Sequence, residues 1–175
     1  MNNSNTCLGQ MTEIKLTENN VFLKDFFRTR EGLVLTEDFE GLVSWVQSKM
    51  LDWKEESFLS YVDLTRDARN SEIAHGLPKG FIFESGIETF LTNLATLIEG
   101  QPNGQKGPLL SSYHGRNIFY VYVQGIVWIA IVSWDEWRYN TKGWHCHFVN
   151  PDNIKYYWAS SWSRPTRVFS AHKLT

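Results

Sequence analysis

"NIFYVYVQGIVWIAIVSWDEWRY", residues 117–139, decides how the rest of the chain is read. From Ile118 to Trp134 the stretch is almost wholly apolar, but its residues are β-branched and aromatic, and Gln124-Gly125 interrupts it. A membrane helix needs about 20 continuous apolar residues. The stretch therefore reads as two strands folded back on each other at Gln124-Gly125, and no membrane span is expected.

Further strands follow at short intervals. "WHCHFV" and "IKYYWAS" lie behind the turn signals "NTKG" and "NPDN". "TRVFSAH" after Pro165 supplies a fifth strand if the meander extends that far.

Upstream, to about residue 100, the period is helical. "NNVFLKDFFRTR" offers Asn19 or Asn20 as a cap, with Phe22, Phe26 and Phe27 at helical spacing. "TEDFEGLVSWVQSKML" begins at Thr36, carries acids in its first turn, and stripes Phe39, Leu42, Val43, Val46 and Met50 on one face. "EESFLSYVDLTRDAR" reads as a third helix, or as a short helix running into an irregular segment. In "ESGIETFLTNLATLIEG", Ser85 and Glu88 form a capping box, Ile87, Phe90, Leu91, Leu94 and Ile98 share a face, and Gly100 supplies a left-handed stop.

The expected fold is thus α+β, with N-terminal helices packed on a C-terminal antiparallel meander of about four or five strands. The 175 residues are expected to form one domain: a disordered tail over 1–12, a mainly helical part over 13–100 and a sheet part over 116–170. The composition, 42% hydrophobic and 21% charged with five prolines, is that of a folded globular chain. No basic, apolar leader opens the sequence, which points to a cytoplasmic protein. Cys7 and Cys146 lie too far apart in sequence to suggest a disulfide framework.

Net charge is −2, but residues 1–100 carry a balance of −7 and residues 101–175 one of +5. The halves can attract each other within the fold, or the basic half can face an acidic partner. Of eight tryptophans, six (Trp128, Trp134, Trp137, Trp144, Trp158 and Trp162) lie in the last third or so of the chain. An indole N–H needs a partner when buried, so the cluster marks a thick core or a binding surface.

Motifs for catalysis are sparse. Gly100, Gly104, Lys106 and Gly107 lack P-loop spacing, and their loop joins a helix to a strand, the reverse of what a P-loop requires. No Ser/His/Asp spacing, paired-carboxylate signature or dinucleotide fingerprint is present. His75 and His114 stand beside glycines in expected loops without a nameable partner, and "VDLTRDARN" reads as a solvated ladder of charges.

"GWHCHF", residues 143–148, places Cys146 between His145 and His147. At strand period Trp144, Cys146 and Phe148 share one face and the histidines the other, so no Cys–His pair forms and Cys146 is a small hydrophobe. A turn at 140–143 would set Glu136 across from His147 and Arg138 across from His145. His145, His147 and Glu136 could then hold zinc or iron, although Arg138 beside them opposes a second cation, and the simpler reading is a solvated hairpin tip. No cofactor is expected outside that alternative.

Residues 156–167, "YYWASSWSRPTR", interleave Tyr156, Tyr157, Trp158 and Trp162 with Arg164 and Arg167. Such residues recur in protein–protein hot spots, and they also stack bases or sugars. They can equally close the core. The leading expectation is a non-catalytic interaction protein (an inhibitor, immunity, effector or adaptor type) that binds another protein through this segment. A metal-dependent enzyme and a binder of single-stranded nucleic acid or glycan are the alternatives.

Overall fold

The computed structural model describes residues 7–16, 23–47, 58–77, 82–83, 86–112, 114–136, 142–150 and 161–170. Within them the elements run β1 (Leu8–Lys15), α1 (Leu23–Phe26), β2 (Gly32–Leu35), α2 (Glu37–Gln47), β3 (Phe58–Leu64), β4 (Ala68–Arg69) and α3 (Asn70–Gly76). There follow α4 (Ile87–Glu99), β5 (Arg116–Val123), β6 (Ile126–Asp135), β7 (Gly143–Val149), β8 (Ser161–Trp162) and β9 (Thr166–Ser170).

The hairpin read from residues 117–139 is present as β5 and β6, closed by the pair Val123 and Ile126. Gln124 and Gly125 both take positive φ, 50° and 87°. Two successive left-handed residues make the tight turn whose twist matches that of the flanking strands.

The class is α+β, but the sheet is mixed and larger than the expected meander. Seven strands follow the order β1-β3-β9-β5-β6-β7-β2, with a separate two-stranded β4-β8 ribbon. β9 does not extend the meander: it inserts between β3 and β5, parallel to β5, and β2 pairs in parallel with β7 at the far edge. Three strands of the seven-stranded sheet, β1, β2 and β3, come from the part expected to be tail and helices. Leu8–Lys15, assigned partly to a tail, is an edge strand. Phe58–Leu64, expected as a third helix or as a short helix running into an irregular segment, is a strand between β1 and β9.

The physical reason is visible in the burial. Leu59 and Tyr61 pack with the helices, while Val62 and Leu64 pack on the opposite face. A strand covered on both sides loses the apolar–polar alternation that would announce it. The segment 154–160, expected as a strand, lies outside the described residues.

On one face of the sheet α1, α2 and α4 bury Phe39, Phe90, Leu94, Phe119, Trp144 and Phe148. On the other, α3 and the β4-β8 ribbon cover Ile118, Ile129, Ile131, Val149 and Val168. α4 forms over Ile87–Glu99 with the expected face buried. Its cap is Gly86, with no side-chain cap hydrogen bond, and Ser85 lies outside the described residues. Gly100 is right-handed, φ −68°, ψ −15°, so the left-handed turn comes later, at Gly104 with φ 65°. Among the described residues no helix is long and apolar enough to cross a membrane.

Candidate functional site

Strand parity holds for the 143–148 stretch. Trp144 and Cys146 are fully buried and Phe148 nearly so, all in the helix-side core. The Trp144 indole donates to the Gln101 carbonyl at 2.7 Å, and burial pushes the Cys146 thiol pKa up, so the thiolate is disfavoured. On the opposite face His145 is only 5% exposed and His147 half-buried, so the pair is not a solvated hairpin tip.

The expected metal set is not assembled. Ile131 stands opposite His147 and Ser133 opposite His145, because Trp134 pairs with Trp144 and Asp135 with Gly143. The connection therefore runs from Glu136 to Lys142 rather than through a four-residue turn. The register moves by an odd number of residues, which reverses the faces. Glu136 accepts from the Trp134 indole at 3.2 Å and pairs with Lys142 at 3.1 Å, and both hold its carboxyl below the usual range. Among the described residues no three His, Cys, Asp or Glu side chains are grouped to hold a metal ion.

The aromatic–arginine segment divides sharply. Tyr156, Tyr157 and Trp158 lie outside the described residues. Trp162 is buried, and its indole donates to Asn70 Oδ1 at 2.6 Å. The Tyr120 hydroxyl donates to the same oxygen at 2.8 Å, and burial pushes the Tyr120 pKa up. Trp162 thus belongs to the core under the ribbon. Arg167 stands opposite Asp63 in the β3–β9 ladder and donates to both carboxylate oxygens, at 2.7 and 2.9 Å. It also donates to the Pro108 carbonyl and lies 3.9 Å from the Tyr61 ring centroid. Its side chain is 11% exposed, so it too is structural.

Arg164 is different. Its amide donates to Asp67 Oδ1 at 3.2 Å, Thr166 Oγ1 donates to the Ser163 carbonyl at 2.6 Å, and the Arg116 amide donates to the Pro165 carbonyl at 3.1 Å. The backbone is held on three sides while the residue is exposed and its guanidinium makes no ion pair among the described residues. It borders an open groove of about 360 Å³ lined by Asp63, Leu64, Leu110, Arg164, Pro165 and Thr166.

The structure thereby joins two segments that looked unrelated in sequence, "VDLTRDARN" and "SWSRPTR", through β3–β9 and β4–β8. Nearby, Arg66 pairs with Glu72 at 2.8 Å, and Glu72 also accepts the Arg69 amide at 2.9 Å. The Arg69 amide and Arg66 hold the Glu72 carboxyl below its usual range. His75 is exposed at the end of α3, and His114 is exposed with φ 64°.

Three amides missed by the sequence reading shape the neighbourhood. Asn70 joins β5 to β8, Gln101 takes up the amide and carbonyl of Leu109, and Asn117 bonds the amide and carbonyl of Leu110. Gln101 and Asn117 fix the 101–115 loop, whose glycines serve packing: a Cβ on Gly104 would meet the Trp134 ring at 2.3 Å. An isolated Asn or Gln carries no periodic signal, so only the fold reveals such roles. No protein-family model, curated protein or solved structure matches the chain.

Proposed function

We propose that this protein is a non-catalytic interaction protein that engages a protein partner through the surface around Arg164. One observation supports this reading above the others: a backbone-anchored arginine, free of ion pairs among the described residues, at the rim of a groove. Burying an arginine against a partner is a common source of binding energy, and a fixed backbone lowers the ordering cost on association. Asp67 holds the Arg164 backbone, while Arg167 and Trp162 are committed to Asp63 and Asn70 and serve as framework rather than as contacts.

The test is site-specific photo-crosslinking from Ser163 in the full chain, in the cells that produce it. A discrete adduct that fades in Arg164→Glu supports the reading. No adduct, or one indifferent to Arg164→Glu, overturns it.

A further inference from the structure

We infer that the groove beside Arg164 takes an acidic protein segment in which a carboxylate residue stands beside an aliphatic one. This deepens the reading proposed above and rests on it. In and beside the groove the charges are unequally committed. Asp63 is neutralised by two hydrogen bonds from Arg167. Arg66 is spent on Glu72, and Asp67 uses Oδ1 on the backbone of Arg164 rather than on its guanidinium. Among the described residues what remains for a newcomer is the Arg164 cation, and a carboxylate is the group that a guanidinium fork binds best in a peptide.

Beside it the lining turns apolar, with Leu64, Leu110 and Pro165. A carboxylate at Arg164 therefore brings the neighbouring side chain over this floor.

The probe is the blocked hexapeptide acetyl-Ser-Gly-Glu-Leu-Gly-Ser-amide, titrated into the isotope-labelled full chain and followed by amide resonances. Saturable shifts are expected at Leu64, Leu110, Arg164 and Thr166. Replacing the peptide Glu by Gln, or using Arg164→Gln, should weaken binding by roughly tenfold, the loss of one charge-assisted hydrogen bond. Replacing the peptide Leu by Ser should weaken it as well, and added salt should do so for the Glu peptide alone. Arg164 is exposed, so the variant is expected to keep the wild-type melting temperature. Equal binding of the Gln peptide, shifts confined elsewhere, or no shift at all would overturn the inference. A Ser163 adduct that persists through such a failure would retain the interaction reading and remove only the acidic-aliphatic partner.

Discussion

Arg167 and Asp63 face each other across the β3–β9 ladder, with two parallel hydrogen bonds at 2.7 and 2.9 Å between guanidinium and carboxylate. The pair is asymmetric: the Arg167 side chain is 11% exposed and that of Asp63 is 54% exposed. Removing Arg167 forfeits its bond to the Pro108 carbonyl and its stacking on Tyr61 along with the pair, whereas Asp63→Asn keeps an oxygen that accepts one of the two bonds. Arg167→Met is expected to destabilise by about 2 kcal/mol, and Asp63→Asn by about 1 kcal/mol or less. Arg167→Lys should recover little, since an ammonium cannot make the fork. Urea unfolding of the three variants checks the order, and an Asp63→Asn loss larger than that of Arg167→Met would contradict it.

Asn70 Oδ1 accepts from both Tyr120 and Trp162. Asn70→Leu leaves a buried hydroxyl and a buried indole N–H without that acceptor, so a loss of about 2–4 kcal/mol is expected. Tyr120→Phe removes one donor and leaves the other bond intact, and should cost about 1 kcal/mol. Thermal denaturation separates the two, and near-equal losses would mean that the shared acceptor is not the node.

The glycines sort by what a methyl group would meet. A Cβ on Gly143 would lie 2.6 Å from the Gly32 backbone across the parallel β2–β7 pair, where neither strand can yield. Gly143→Ala should cost roughly 2–4 kcal/mol or undo that edge. Gly41, in the exposed part of α2, has nothing within 4 Å of its Cβ position. There alanine relieves the entropy cost of a helical glycine and should stabilise by about 0.5–1 kcal/mol. Two melting curves with shifts of opposite sign are the expected result, and a stabilising Gly143→Ala would refute the packing argument.

How much of this was legible in the sequence depends on which residues carried a period. Ile118–Trp134 with Gln124-Gly125 announced the hairpin, and Phe90, Leu94 and Ile98 announced α4. Leu8–Lys15 did not, because an edge strand is largely wet and its polar residues resemble a tail. Cys7 looked equally disposable but is 2% exposed in the core beneath the ribbon. The metal set failed on register alone: side-chain alternation fixes which residues of one strand share a face, but not which residue of the next strand stands opposite. Glu136 was therefore assigned to His147 when its partners are Trp134 and Lys142. The Arg164 groove was half visible, as an arginine in a suspicious segment. Its other wall, Asp63 and Leu64, came from a stretch assigned to a helix.

Burial raises the pKa values of the Cys146 thiol and the Tyr120 phenol, so both groups are expected to weaken the fold in alkali. Both groups stay protonated in the folded chain at pH values where an unfolded thiol titrates near 8.5 and an unfolded phenol near 10. A raised folded pKa means that the stabilisation is complete below the unfolded pKa and is lost as pH climbs from there toward the folded value. Above about pH 8.5 the unfolded state sheds the Cys146 proton and the folded state does not, so stability should fall by about 1.4 kcal/mol per pH unit from this group alone. A second, equal slope from Tyr120 should join above about pH 10. Cys146→Ala, which costs stability at every pH through the cavity it leaves, should nonetheless show a shallower decline between pH 8.5 and 10 than the parent. Urea midpoints across that range measure it, and parallel declines in parent and variant would show that the Cys146 proton is not what alkali removes.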